Sequence, residues 1–135
     1  MAERPLKPKE YAVWNNAVRA DWRKLQLAPP AIRATRELVL AAARQDWRAL
    51  QWSSPELRCD RDIVLEIAGL RGESLQLAPE ELRRDREVVL AAVRQNGLAL
   101  HYASGLALRA DREVLLEAVR QNWRALELAS EELKG

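Results

Sequence analysis

The stretch DREVVLAAVRQNGLALHYAS, Asp85–Ser104, decides the fold, because it returns three times in register. It reappears as DREVLLEAVRQNWRALELAS (Asp111–Ser130), TRELVLAAARQDWRALQWSS (Thr35–Ser54) and DRDIVLEIAGLRGESLQLAP (Asp60–Pro79). A degenerate copy, EYAVWNNAVRADWRKLQLAP, runs from Glu10. The starts at 35, 60, 85 and 111 are 25, 25 and 26 residues apart, and the extra residue falls in SGLALRA, where Gly105 can absorb a changed turn.

Each copy reads as two short helices. Asp60, Asp85 and Asp111 stand where an N-cap accepts the unpaired N–H groups of a first turn, and Asp62, Glu87 and Glu113 put negative charge at the positive end of the helix dipole. The first helix is predicted to end at pairs such as Asn96-Gly97, which readily turn left-handed. A second helix follows (ALHYAS, ALQWSS, ALELAS), then a turn for which Ser54 or Ser130 offers another cap.

The repeat columns separate interior from surface. Leu38, Ile63, Val88 and Val114 share one column, Leu40, Leu65, Leu90 and Leu116 a second, and Leu25, Leu50, Leu75, Leu100 and Leu126 a third; all three are expected in the core. The column of Ala41, Glu66, Ala91 and Glu117 accepts charge and marks a narrow solvent stripe. One unit of this size cannot bury so wide an apolar face, so neighbours must stack. The expected architecture is all-α: an α-solenoid of about five two-helix repeats, each roughly 25 residues. It forms one domain over 1–135, with a tail at 1–9 and repeats at 10–34, 35–59, 60–84, 85–110 and 111–135.

The pattern D-x-E-V-V-L-x-A-V-x-Q-N-G-x-A-L-x-Y-A-S, which Asp85–Ser104 follows almost throughout, resembles the tandem repeat of domain-of-unknown-function family 4116. The resemblance extends from Thr35 onward and implies a helical tandem repeat. It carries over no functional residues, cofactor or activity.

Composition narrows the function classes. At 48% apolar and 31% charged residues the chain is that of a folded protein, and 22 Lys and Arg against 20 Asp and Glu leave a net charge of only +2, which by itself points to no partner. The longest apolar runs, LVLAAA and VVLAAV, are far below the roughly 18 residues that span a bilayer, so a soluble chain without membrane insertion is expected. With one Cys, Cys59, and one His, His101, the chain can close no internal disulfide and assemble no Cys/His zinc cluster; reducing, intracellular surroundings are favoured, although neither compartment nor organelle is fixed. His101 falls in a polar row with Gln26, Gln51, Gln76 and Glu127, and Cys59 reads as a passive surface thiol. No nucleophile constellation, spaced carboxylate pair or glycine-rich phosphate loop is present, so no catalytic residue, metal or cofactor is expected and the chain reads as no enzyme.

Two residue types recur in ways that a core does not require. Arginine fills two columns, Arg19, Arg44, Arg94 and Arg120 near the end of the first helix and Arg33, Arg58, Arg83 and Arg109 before each cap. Such rows could form a basic stripe for nucleic acid, but acidic columns run beside them, so salt bridging is the stronger reading. Trp22, Trp47 and Trp123 share a column with Gly72 and Gly97, a site that is therefore expected outside the deep core, while Trp14 and Trp52 read as core. Followed by Arg23, Arg48 and Arg124, the three tryptophans have the chemistry of interface hot spots. At the N-terminus Tyr11, Asn15 and Asn16 replace Arg36, Leu40 and Ala41, as a polar capping repeat requires. The last copy matches the interior ones, so Leu115 and Leu128 are expected partly uncovered, an interaction-prone patch: either the chain is a piece of a longer array or this end docks onto another molecule. The function these residues favour is a non-enzymatic scaffold for protein–protein interaction, as a small subunit of a larger complex or by self-association through the C-terminal end. The alternative is a nucleic-acid-binding repeat protein using the arginine rows.

Overall fold

The computed structural model describes residues 5–104 and 110–128, and these are all-α. They divide into two compact units, one ending at Arg58 and the other beginning at Cys59, within a residue of the boundary between the second and third repeats. In the first unit α1 (Pro8–Ala20), α2 (Pro30–Arg33), α3 (Arg36–Gln45) and α4 (Pro55–Arg58) are joined by 3-10 helices η1 (Trp22–Leu27) and η2 (Trp47–Trp52). In the second, α5 (Arg61–Leu70), α6 (Glu80–Arg83), α7 (Arg86–Gln95) and α8 (Arg112–Gln121) alternate with η3 (Gly72–Leu77), η4 (Gly97–Tyr102) and η5 (Trp123–Leu128).

The two-helix expectation needs correcting. Among the described residues a repeat holds an α-helix of ten residues, thirteen in the first copy, then a six-residue 3-10 helix and, in the first three copies, a further four-residue helix such as PELR or EELR. The Asp caps are as expected: the Asp85 carboxylate accepts from the N–H groups of Glu87 and Val88 at 3.0 and 3.4 Å, and Asp60 and Asp111 do the same in their own helices. Thr35 departs, as its hydroxyl donates to Ala31 O at 2.8 Å instead of capping α3. Ser54 Oγ accepts from Leu57 N at 3.4 Å, while Ser130 and Arg109 lie outside the described residues.

The expected left-handed stop at Asn96-Gly97 is also corrected. Asn96 is extended (φ −148°, ψ 110°) and its side chain accepts from Leu98 N, so it begins η4 as an N-cap. Asp21, Asp46 and Asn122 begin η1, η2 and η5 in the same way. The short side chains between the two helices therefore start the second helix as much as they end the first.

Within each unit successive repeats stack: α3 packs on α1, α7 on α5 and α8 on α7. Ser54 N donates to Arg33 O and Ser104 N to Arg83 O, both at 2.9 Å, which pins the third segments of the first and third repeats to their successors. The core follows two of the three expected columns, with Leu25, Ile63, Leu75, Val88, Leu100 and Val114 fully buried, whereas in the third Leu40 and Leu65 are only half-buried and Leu90 alone is buried.

Burial also sorts the columns by direction. The Val/Ile column faces the preceding repeat: Val88 is 0% exposed beneath α5, whereas Val13 in the same column of α1 is 66% exposed. Two leucine columns face the successor. Leu90 and Leu100 are 6% and 0% exposed, but their equivalents in the last repeat, Leu116 and Leu126, are 57% and 51% exposed.

Candidate functional site

The first unit gathers part of the tryptophan and arginine set. Trp22 stacks on Trp52 with ring centroids 5.6 Å apart and planes at 23°, and the guanidinium carbons of Arg23 and Arg48 lie 5.6 and 5.5 Å from the Trp22 centroid. Both geometries are favourable for indole, whose face is negative. Arg48 is fixed by a fork to Asp46, with Nε–Oδ1 2.9 Å and Nη2–Oδ2 2.6 Å, and that hydrogen bond holds the Asp46 carboxyl below its usual range. Trp47 is half-buried and takes no part in the stack.

Trp52 corrects the expectation of a core residue. It is half-buried at the surface end of η2, in the column of Leu27, which is exposed, and of half-buried Leu77 and Tyr102. Leu50 and Trp52 are two residues apart, so they fall on different sides of η2 and only one of them takes the buried edge.

In the second unit Trp123 is exposed, with the Arg124 guanidinium 5.8 Å from its ring. Leu115 is half-buried against the core, and the side chain of Leu128 lies outside the described residues. His101 is exposed with its ring edge-on to Tyr102, and Cys59 is exposed.

The glycine column has a reason that the sequence reading missed. Gly72 and Gly97 are buried, and a Cβ at either would fall well inside the 3.0 Å that real Cβ atoms keep, against Ala92 O and, closer still, Ala118 O of the next helix. Glycine here permits close approach of the next repeat and supplies no unusual backbone angle.

Two ladders of polar contacts between repeats were also missed. Gln95 Oε1 accepts from Gly72 N at 2.6 Å, and Gln45 Oε1 accepts from Trp22 N at 3.1 Å while its amide donates to Val18 O and Arg19 O. One glutamine thus satisfies groups that the preceding α-helix and 3-10 helix leave open at their junction. In the second ladder Arg61 Nε donates to Asp85 at 2.7 Å and its Nη2 to Glu87 at 2.7 Å, and Arg86 bridges Asp111 and Glu113 likewise. The only sequence signal was recurrence, of Gln45, Gln95 and Gln121 and of Arg36, Arg61, Arg86 and Arg112.

Residues 60–105 and 106–134 match the family model described as Domain of unknown function (DUF4116). The chain belongs to the DUF4116 family. The match covers the third to fifth repeats, so the first two DUF4116-like copies, with Trp22, Trp47 and Trp52, fall outside it. No curated protein and no solved structure matches the chain. Among the described residues no helix of this DUF4116 protein is long and apolar enough to cross a membrane.

The arginine ladder makes the fold acid-sensitive. The guanidinium of Arg61 holds the Asp85 carboxyl, and that of Arg86 the Asp111 carboxyl, below the ordinary 3.8, with partial burial opposing. A carboxyl lowered on folding contributes stability above its unfolded pKa and loses it as pH falls through the folded value. Stability should therefore decline from near pH 4 downward, and Asp85→Asn with Asp111→Asn should flatten that decline. Asn still caps a helix, so the double variant isolates the charge, worth about 0.5 kcal/mol per pair at these partly exposed positions. Urea midpoints of both proteins between pH 3 and 7 check this; parallel curves would assign the acid response to other groups.

Proposed function

We propose that the chain is a non-enzymatic helical-repeat scaffold, a solenoid that binds another protein through the face its fifth repeat leaves open. One observation carries the reading: side chains that interior repeats bury beneath a successor, Leu90 and Leu100, have exposed equivalents in Leu116 and Leu126. The polar part of the same interface is also waiting. Arg112 occupies the column of Arg61 and Arg86 and has no ion-pair partner among the described residues. The face thus asks for what Arg61 and Arg86 already meet, a helix with an acid at its N-cap and another two residues on, followed by β-branched residues that cover the leucines.

A protein presenting such a helix is the partner that the face fits. Without one, a second copy is the next best occupant, because Val13 at the front of the first repeat is exposed in the column that interior repeats use for this contact. Front-to-back pairing is heterologous, so association should grow with concentration instead of stopping at a dimer. The arginines favour a protein over nucleic acid: Arg61 and Arg86 are paired with carboxylates, Arg120 lies 3.3 Å from Glu117, and Arg94 is 4.0 Å from both Glu113 and Glu117.

Sedimentation over a hundredfold concentration range tests the proposal. The isolated chain should self-associate, Leu116→Glu should abolish it, and fusing a polar capping helix after Lys134 should abolish it while raising the melting temperature. A strict monomer throughout, with no stabilisation from the added helix, would overturn the docking face.

A further inference from the structure

Arg33 and Arg58 are not accounted for by packing or by the docking face. Both are half-buried, neither has a carboxylate partner among the described residues, and the Nε of each is buried with no hydrogen-bond partner. Arg83, of the same column, shares the orphaned Nε, so the repeat places this atom in a seam as a rule. In the first unit that rule brings two such arginines around one cleft of about 250 Å³, which Trp52, Gln51 and Ser54 also line. No Asp or Glu lines it.

Each orphaned Nε is itself closed to solvent, so the case for a ligand rests on the two arginines that line one cleft with no carboxylate beside them, a lining that favours an anion. A guanidinium fork matches two oxygens of a phosphate or carboxylate, and two forks in one cleft match a dianion better than a monoanion. Trp52 adds an apolar wall that is already fixed by its stack on Trp22, so a planar group can settle on it with little loss of freedom. The column elsewhere holds Leu27, Leu77, Tyr102 and Leu128, so the indole wall is particular to this repeat. The cleft is about the size of one small group and is too small for a whole cofactor.

We infer that the Arg33–Arg58 cleft binds a phosphate monoester dianion, the two guanidinium groups holding the phosphate and Trp52 receiving the group esterified to it. The site consists of first-unit residues alone and stands independently of the docking face.

Phenyl phosphate titrated into the intact chain, followed by tryptophan fluorescence and by the rise in melting temperature, tests it. Saturable binding with a Kd of about 1 mM or tighter is expected, since two charge-assisted forks supply that affinity. Inorganic phosphate should bind more weakly and benzoate more weakly still. Arg33→Gln with Arg58→Gln should lower the affinity at least about tenfold, and Trp52→Leu, which places the residue of position 77 there, should remove the preference for the phenyl ester while keeping phosphate binding. The Trp52→Leu variant keeps both arginines, so the question stays answerable if the double variant folds poorly. A short peptide carrying phosphotyrosine separates two sources of the ester: tighter binding than phenyl phosphate assigns the site to a phosphorylated side chain, equal binding to a small ester, and both support it. Absence of saturable binding by any phosphate, or affinity unchanged in a folded double-arginine variant, would overturn the inference.

Discussion

Replacing Gly97 by alanine is expected to destabilise the second unit by about 3 kcal/mol, an effect out of proportion to one methyl group. Its Cβ would be driven into Ala118 O, with Ala118 C at 3.0 Å and Asn122 N at 3.1 Å, all of them backbone atoms of α8 and its end. A flexible side chain could rotate away, but a helix backbone must translate. That translation would loosen the packing that buries Val114 and Ala118 against α7. The opposing gain from a stiffer unfolded chain is only about 0.4–1 kcal/mol, so the clash wins. Gly69, also in the second unit, has nothing within 4 Å of its would-be Cβ, and Gly69→Ala should stabilise by about 0.5 kcal/mol. Because repeats exchange energy mainly with their neighbours, Gly97→Ala should release α8 first, and hydrogen exchange should show amide protection falling in α8 before α5. Equal stability changes at the two glycines would show that the next helix gives way freely and that close approach is not what the column selects.

The contrast between the glycines shows where sequence reading reached and where it stopped. Register, the Asp60, Asp85 and Asp111 caps and the buried leucine and valine columns were legible, because each depends on spacing along one chain segment. Sequence alone offers Gly97 a role at a helix end and places the column of Gly72 and Gly97 outside the deep core, whereas both are buried and serve an approach between segments that no periodicity encodes. The same holds for Gln95 reaching Gly72 N and for Arg61 spanning to Asp85 and Glu87: these bonds connect residues 23 to 26 positions apart, and only a stacked geometry brings them together. The 3-10 character of η1–η5 was hidden because ALQL-type segments satisfy either helical period over so short a run. Trp52 departs from the core for a different reason: it stands two residues after Leu50, hence on another side of η2, where it lines the cleft. The tryptophan column itself was legible only as chemistry: Trp22 joins Arg23 and Arg48 in one cluster, while Trp47 and Trp123 do not add to it.

Leu100 and Leu126 occupy the same column, and truncating each to alanine should give opposite results in the isolated chain. Leu100 is fully buried in the second unit's core, so Leu100→Ala removes buried methyl groups and leaves a cavity among side chains that include Val88 and Val114. The expected loss is about 3 kcal/mol, a fall in melting temperature on the order of 10 °C. Leu126 is half exposed, so Leu126→Ala should change stability by less than about 0.5 kcal/mol. If the fifth repeat's face is used as interior repeats use theirs, the exposed leucine becomes the costly one once a partner is seated. Leu126→Ala should then weaken self-association or partner binding about tenfold or more, while Leu100→Ala, measured well below its melting temperature, should leave binding nearly intact. A thermal melt of each variant, paired with its sedimentation profile, reads both halves. A Leu126→Ala chain that melts several degrees lower at high dilution would mean that the leucine is already covered, and the face would then be part of the core and not a place for another molecule.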